Sequence, residues 1–234
     1  QGLSERPLAD PDKGHIDDFA TYLDDFQAFM SEVVAPAAPR PLIALCHSMG
    51  GNIVLRHLAE APAPAFTAAV CVSPMTALPR GAAIRAIASL LSPFGQRDRE
   101  YMVATGPYSP GHRAFATNDV TSDERRYRFT DLWFQADPRL SLGGPTIGWL
   151  KQAQRSIDRL FSPGMLERIS IPLVIMSAAA DKVVDIASHT AAVARVRGAT
   201  HCSIDGAKHE ILMETDARRA QFWVAFDRVA ASLG

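Results

Sequence analysis

Apolar and polar positions in the first part of the chain repeat with the period of a helix. Apolar side chains recur every three or four residues between Ile16 and Val34, and the opposite face is rich in aspartate. This spacing predicts an amphipathic helix with its acidic face toward solvent. Pro36, Pro39 and Pro41 end the pattern, because proline lacks the amide that a helix interior needs.

Short apolar runs without alternation come next, and they predict strands that are covered on both faces. Three runs are clear and a fourth is weaker. Because they alternate with helical patterns, we expect the α/β class, a mostly parallel sheet with helices on both faces. The runs are Leu42–Cys46, Ala68–Val72, Leu173–Met176 and the weaker Thr200–Ile204, and the helical patterns among them are Asn52–Leu58 and Arg218–Ala230.

About a hundred residues between the second and third runs break this alternation. Gly81–Leu91 and Ile147–Phe161 have helical patterns, and the loop Ser92–Asp123 between them is rich in proline, glycine and charged residues. We interpret the region as an insertion into one α/β domain, since a chain of 234 residues has room for a single well-filled core.

Composition and charge exclude several classes of protein. With 47% hydrophobic and 21% charged residues, the chain lies far from the composition of disordered segments. The 24 lysines and arginines nearly balance the 25 aspartates and glutamates, so no overall field attracts nucleic acid or an anionic membrane. No apolar run approaches the roughly 20 residues that span a bilayer, and we predict a cytoplasmic location.

The cysteines do not indicate a metal or a disulfide framework. Cys46, Cys71 and Cys202 lack paired spacing and fall in apolar segments, so we expect buried free thiols. No histidine, aspartate and cysteine cluster has the spacing of metal ligands, and the chain has no glycine-rich phosphate loop. The sequence therefore implies neither a metal nor a cofactor.

The turn after the first strand carries a candidate nucleophile. Ser48 stands between the first apolar run and a helical pattern, in His47-Ser48-Met49-Gly50-Gly51. A serine needs a base and oxyanion donors beside it to attack a carbonyl, and a sharp strand-to-helix turn exposes its oxygen to both. Such a turn needs small residues two positions to either side, here Cys46 and Gly50. On the local motif alone, a helix N-cap is the alternative role of Ser48.

The segment Cys46-His47-Ser48-Met49-Gly50-Gly51 resembles the Gly-His-Ser-Met-Gly-Gly elbow of the lysophospholipase and monoacylglycerol-lipase branch of the α/β-hydrolases. It departs from that pattern in having cysteine for the first glycine, a side chain small enough for the turn with slightly looser packing. Two further loops resemble this branch, in the expected order of nucleophile, acid and base. Asp181 follows the third strand run, and His209 lies in Gly206-Ala207-Lys208-His209-Glu210. The resemblance implies an α/β-hydrolase fold with Ser48, Asp181 and His209 as its catalytic triad.

Other assignments of these roles are weaker. Asp185 lies where the next helix should begin, and Asp205 is too close to the histidine in sequence to reach under its ring. We interpret His47 as local packing or a cleft-lining group, and the turn would bury Cys46 and so keep it from acting as the nucleophile. The remaining histidines are assigned to surface or satisfied-core positions: His15, His57, His112, His189 and His201.

By the same resemblance, the histidine takes the proton of the serine, the aspartate orients the imidazole, and water releases the acyl-enzyme. The amide of Met49 is one oxyanion donor, and in this superfamily the second comes from a loop after an earlier strand. Gln1-Gly2-Leu3-Ser4 resembles the segment after the fourth strand of the family. We therefore expect the first strands and the second donor to lie upstream of Gln1, which leaves the Leu42–Leu45 strand at an edge.

The resemblance also assigns residues 75–166 to a helical cap and residues 1–74 and 167–234 to the core. The stretches Leu132–Leu140 and Gly144–Leu150 resemble bacterial lysophospholipase-type members, and their aromatic residues either line an acyl tunnel or pack the cap on the core. The implied substrates are lipid-like carboxylic esters, lysophospholipids or monoacylglycerols, with transient contact to a membrane surface as a further expectation.

Sequence alone leaves other functions open. The same triad serves peptidases, amidases and acyltransferases, because the elbow fixes the nucleophile while the cap selects the substrate. A non-catalytic binding module is an alternative from a different class, motivated by Cys46 and by the missing oxyanion loop. The sequence gives no indication of an oligomeric state.

Overall fold

The computed structural model describes residues 2–37, 41–61, 65–79, 81, 95–109 and 114–233. The predicted helix Gly81–Leu91 lies outside these residues except for its first residue, and His112 lies outside them as well.

The chain forms two compact units, which we call the sheet unit and the helical unit. The sheet unit comprises Ala20–Pro79, Asp119–Ser122 and Ile157–Gly234. The helical unit comprises Gln1–Phe19, Arg80–Asn118 and Asp123–Ser156. These units are defined by compactness, and they assign residues 1–19, 75–79, 119–122 and 157–166 differently from the predicted core and cap. The functional division into core and cap stays a prediction.

Four parallel strands form the centre of the sheet unit. They are β1 (Ile43–His47), β2 (Ala68–Val72), β3 (Leu173–Ala178) and β4 (Thr200–Ile204), in the spatial order β1-β2-β3-β4. All four match predicted runs, and the weakest candidate is a full strand. Within the described residues β1 lies at one edge of the sheet, the position expected for it.

The described residues contain six α-helices of seven or more residues. They are α1 (Ala20–Phe29), α2 (Ser48–Glu60), α3 (Glu124–Ala136), α4 (Ile147–Leu160), α5 (Ala187–Val193) and α6 (Asp216–Ala231). The chain continues from α1 through a π-helical turn, Met30–Val34, into a last α-helical turn, Ala35–Ala37. In the part of the chain that the structure describes, no helix has both the length and the apolar character needed to cross a membrane.

Helix α1 begins one turn later than predicted, and α3 was not predicted at all. Of the α3 side chains only Tyr127 is buried, so the helix lacks the core-facing stripe that reveals an amphipathic helix. Its start is fixed locally instead, because the Asp123 carboxylate accepts a hydrogen bond from the amide of Arg126.

The sheet buries apolar residues on both faces, which explains its unalternating strands. On β2, Ala69 and Cys71 face a cluster that includes Leu55 of α2, whereas Val70 and Val72 face a second cluster that includes Phe222 of α6. Helices therefore cover both sides of a parallel sheet, and the predicted α/β fold class is confirmed.

Candidate active site

The turn from β1 into α2 holds Ser48 in a strained conformation. His47 is still extended, with φ −129° and ψ 142°, whereas Ser48 has φ 50°, in the left-handed region that residues other than glycine rarely adopt. The Ser48 carbonyl accepts a hydrogen bond of 2.8 Å from the amide of Met75, just beyond β2. The strain is therefore held by the neighbouring strand end, and the hydroxyl lies at the first position of α2.

The close approach in this turn occurs at Gly51 and not at Gly50. A Cβ at Gly51 would lie 2.6 Å from Pro74 Cβ and 2.9 Å from Pro74 Cα, distances that atoms in proteins do not tolerate. A Cβ at Gly50 would meet nothing within 4 Å. The prediction that a small residue is needed at position 50 because helix and strand pass too closely was wrong, and the need lies one residue later.

Cys46 replaces the glycine of the family motif and contacts a second thiol. It is paired with Cys71 in the β1–β2 register, and its Sγ lies 3.3 Å from the Cys71 Sγ, to which it donates a hydrogen bond. That hydrogen bond, together with burial, raises the pKa of the Cys71 thiol well above its usual range. The cysteines are free as expected, but only Cys71 is fully buried, whereas Cys46 and Cys202 are half-buried.

The three residues named from the motifs form one hydrogen-bonded line within the sheet unit. Ser48 Oγ lies 2.9 Å from His209 Nε2, and His209 Nδ1 lies 2.8 Å from Asp181 Oδ2. A carboxylate only accepts, so Nδ1 carries the proton that it donates to Asp181, and Nε2 of the neutral ring accepts from the serine hydroxyl. The arrangement can take a proton from Ser48 and return it.

Asp181 is held by more than the histidine. Its side chain is fully buried, and its second oxygen accepts hydrogen bonds from the amides of Val183 and Val184, at 2.8 and 3.2 Å. Burial alone would raise the pKa of this carboxyl, but the hydrogen bond and charge of His209 and the two amides outweigh it and lower the pKa. The group is thus held as the anion that orients the imidazole.

The loop that carries His209 is organised by Glu214, a residue that sequence reasoning missed. The buried Glu214 carboxylate accepts hydrogen bonds from the amides of Ser122, Lys208 and Thr215 and from the Arg218 guanidinium, at 2.9 to 3.2 Å. Burial opposes ionisation, but these donors lower the pKa of Glu214. The only sequence signal is an acid in the otherwise apolar segment after the histidine.

His47 contacts His209 rather than Ser48. Its Nε2 donates to the His209 carbonyl at 3.1 Å, and the two rings lie 4.7 Å apart between centroids. Burial lowers the pKa of His47, partly opposed by Glu210. The prediction of local packing was therefore incomplete, because His47 also holds the backbone of His209, the predicted base.

The rival acids have other roles. Asp185 accepts a hydrogen bond from the amide of Ala187 where α5 begins. Asp205 lies in an exposed turn before Gly206, whose φ of 65° suits a residue without a side chain. The Nδ1 of His209 is bound to Asp181 rather than to either of these carboxylates.

Met49 is the second residue of α2, and the amides of a first helical turn have no acceptor within the helix. Its position agrees with the predicted oxyanion donor, a role that stays a prediction. Among the described residues, no group of three or more histidine, cysteine, aspartate or glutamate side chains could hold a metal ion.

The aromatic residues of α3 have different surroundings within the helical unit. Phe134 packs edge-on against Tyr108, and both line a cavity of about 480 Å³. Trp133 is 64% exposed. The predicted roles of these aromatic residues, in lining an acyl tunnel or in packing the cap, stay predictions.

Comparisons with known proteins identify the family of the chain. The family model Hydrolase_4, described as "Serine aminopeptidase, S33", matches residues 1–216. The chain is 32% identical to "Probable lysophospholipase L2" of Haemophilus influenzae over 218 residues, 92% of this chain and 67% of that protein. It is also 32% identical to "Lysophospholipase L2" of Escherichia coli K12 over 231 residues, 94% of this chain and 66% of that protein. The chain thus spans about two thirds of the length of the curated relatives it matches.

Solved structures with low identity share the fold. A soluble variant of monoglyceride lipase from Saccharomyces cerevisiae has a TM-score of 0.69 at 18% identity, over 94% of this chain and 72% of that one. A carboxyl esterase from Bacillus coagulans has a TM-score of 0.66 at 14% identity, over 93% of this chain and 73% of that one. With the family model covering nearly the whole chain, these findings lead to one conclusion: the chain belongs to the "Serine aminopeptidase, S33" family of α/β-hydrolases.

Proposed function

We propose that this chain is a serine hydrolase that cleaves lipid-like carboxylic esters, lysophospholipids or monoacylglycerols, through an acyl-enzyme on Ser48. The observation that carries the proposal is the unbroken hydrogen-bonded line from the Ser48 hydroxyl through His209 to Asp181. The two relatives named as lysophospholipases support a lipid ester as the substrate.

In the proposed reaction, Ser48 Oγ attacks the ester carbonyl while His209 Nε2 takes its proton. Asp181 holds the Nδ1 proton and stabilises the imidazolium, and the Met49 amide donates to the oxyanion. His209 then protonates the leaving alcohol. In the second half, it removes a proton from water, which attacks the acyl carbon and releases the acid, and Ser48 recovers its proton.

A transient contact with a membrane surface is a further part of the proposal. Phe129, Leu132 and Trp133 lie at helical spacing on α3 and are 44%, 56% and 64% exposed. Exposed arginines, Arg125 and Arg128, stand on the same helix. An apolar stripe beside basic residues suits the interface of a bilayer, where the proposed amphiphilic substrates reside. The cytoplasmic location stays a prediction.

Labelling with a fluorophosphonate tests the chemistry. We expect the chain to be modified once, at Ser48, and Ser48→Ala to lose the label. Ser73→Ala is a matched control, because Ser73 also follows a strand and has a left-handed backbone, with φ 43°. Its buried hydroxyl has no hydrogen-bond partner among the described residues, so this variant should label at the rate of the unchanged chain.

A substrate panel tests specificity. Nitrophenyl esters of rising acyl length are compared with aminoacyl amides, since the family description names an aminopeptidase. We expect esters to be preferred and the rate to rise with acyl length. Preference for the amides would overturn the ester proposal, and absence of labelling in the unchanged chain would favour a non-catalytic binding module.

A further inference from the structure

A second chain of hydrogen bonds crosses the sheet unit beside the proposed catalytic residues. His201 Nε2 lies 2.7 Å from Ser177 Oγ, Ser177 Oγ lies 2.6 Å from His189 Nδ1, and His189 Nε2 lies 2.8 Å from the Pro74 carbonyl oxygen. His189 and Ser177 are buried, at 0% and 2% exposure, whereas His201 is exposed. The residues come from β4, β3 and α5, and the chain ends on the segment that follows β2.

The Pro74 carbonyl fixes the direction of every bond in this chain. A carbonyl only accepts, so His189 Nε2 carries a proton and donates it. Burial lowers the pKa of His189, so the ring is neutral near neutral pH and its Nδ1 accepts from the Ser177 hydroxyl. Ser177 Oγ in turn accepts from His201. Each group thus donates to the next one inward, from His201 to Ser177 to His189, and the last bond ends on the Pro74 carbonyl.

The segment that receives this bond also supports the first turn of α2. The Met75 amide donates to the Ser48 carbonyl at 2.8 Å, and the Asn52 side chain donates to the Met75 carbonyl at 3.0 Å. The ring of Pro74 occupies the space that a side chain at Gly51 would need. The segment after β2 is therefore in direct contact with the strained turn that presents the nucleophile.

We propose that His189 is a positioning residue for Ser48. By holding the Pro74 carbonyl, it fixes the Pro74–Met75 backbone against the first turn of α2 and keeps the Ser48 hydroxyl within hydrogen-bonding distance of His209. The inference rests on the proposed function, because positioning is measured through the reactivity of Ser48. The two ring nitrogens of His189 are bound to Ser177 and to the Pro74 carbonyl, so its positioning effect on Ser48 passes through the Pro74–Met75 backbone.

Two substitutions at position 189 separate positioning from bulk. His189→Met replaces the imidazole by an apolar side chain of similar size and removes the donor to Pro74. His189→Gln keeps an amide N–H where Nε2 stands. We expect kcat for a nitrophenyl ester to fall about tenfold to a hundredfold in His189→Met, because small misplacements of a nucleophile carry costs of this size. KM should be unchanged, and His189→Gln should recover most of the loss.

His57→Met controls for the loss of a buried histidine. His57 lies in α2 of the same unit and packs edge-on against Phe26, away from the Pro74 segment. We expect the melting temperature of the His57→Met variant to fall by about as much as that of His189→Met, while its kcat stays near that of the unchanged chain. Equal kcat in His189→Met and the unchanged chain would overturn the inference, as would a fall that His189→Gln does not recover.

A milder variant covers the case in which His189→Met does not fold. Ser177→Ala removes one hydroxyl and frees Nδ1 of His189, and we expect kcat to fall about threefold, the size of one lost hydrogen bond. An unchanged kcat in this variant would overturn the inference. Fluorophosphonate labelling separates the two proposals: no label on the unchanged chain defeats the proposed function, whereas equal labelling rates for the unchanged chain and His189→Met defeat only the positioning role.

Discussion

Two serines with left-handed backbones stand at neighbouring strand ends. Ser48 follows β1 with φ 50°, and Ser73 follows β2 with φ 43°. Such a conformation costs about 1 to 3 kcal/mol for a residue with a side chain, so each must be held by its surroundings. The Ser73 amide donates to the Met176 carbonyl at 2.7 Å, and Met75 donates to Ser48. Each strained backbone is thus held by its own hydrogen bond, to β3 for Ser73 and to the segment after β2 for Ser48, and the Ser73 hydroxyl takes part in neither.

The two glycines after Ser48 give a matched pair of substitutions. Gly51→Ala places a methyl group against the backbone of Pro74, which cannot move aside like a flexible side chain. We expect the free energy of unfolding to fall by about 1 to 3 kcal/mol, the usual cost of overpacking. Gly50→Ala meets open space within a helix, so it should be neutral or stabilise by up to about 1 kcal/mol.

Urea unfolding of both variants measures this difference. The family motif has glycine at both positions, so a purely motif-based argument predicts similar losses. Equal destabilisation of Gly50→Ala and Gly51→Ala would contradict the geometry described above.

At the scale of elements, the loop between β4 and α6 depends on one buried carboxylate. Glu214 collects donors from residues 122, 208, 215 and 218, and so ties the His209 loop to the start of α6 and to the Asp119–Ser122 segment. The Glu210 amide adds a bond of 2.8 Å to the Val120 carbonyl. The position of the proposed base therefore depends on a group outside the hydrogen-bonded line of Ser48, His209 and Asp181.

Glu214→Gln should destabilise the protein by about 3 kcal/mol, because it removes one partner of a buried ion pair and presents an amide N–H to groups that are themselves donors. Glu124→Gln is the control, since Glu124 pairs with Arg128 on the exposed face of α3, where both side chains are more than half exposed, and its loss should cost under about 1 kcal/mol. Chemical unfolding at neutral pH measures both. Equal losses in the two variants would contradict the role assigned to Glu214.

The contribution of Glu214 to the stability of the fold should also depend on pH. The folded pKa values of Glu214 and Asp181 are both lowered, so their contribution to stability is complete above the unfolded pKa, about 4, and is lost as the pH falls through the folded values. Stability should therefore decline as the pH falls below about 4, and this decline should be shallower in Glu214→Gln. A decline of equal steepness in both proteins would count against the assignment.

The sequence predicts what depends on local pattern and misses what depends on distant partners. The four strands follow from short apolar runs, and the order of Ser48, Asp181 and His209 follows from motifs at strand ends, which meet at one edge of a parallel sheet. The need for Gly51 could not be predicted, because Pro74 creates it from another strand end. The same holds for His189, whose partner is also Pro74.

At the scale of the whole molecule, a formal net charge of −1 leaves no long-range attraction to a membrane surface. Any membrane contact must come from a local surface, and α3 carries such a surface in Phe129, Leu132 and Trp133. Binding driven by apolar insertion should depend on these side chains and should persist on zwitterionic vesicles, with some gain on anionic ones from the arginines of α3.

Leu132→Asp and Val224→Asp test this surface as a matched pair. Both positions are exposed apolar residues on helices, at 56% and 53%, but Val224 lies on α6 in the sheet unit. Burying one leucine contributes about 1.5 kcal/mol or more, so Leu132→Asp should weaken binding to phosphatidylcholine vesicles at least about tenfold, whereas Val224→Asp should bind like the unchanged chain. Cosedimentation measures the bound fraction. Equal binding by the two variants would show that α3 is not the docking surface, and it would leave the apolar stripe as an ordinary feature of an exposed helix.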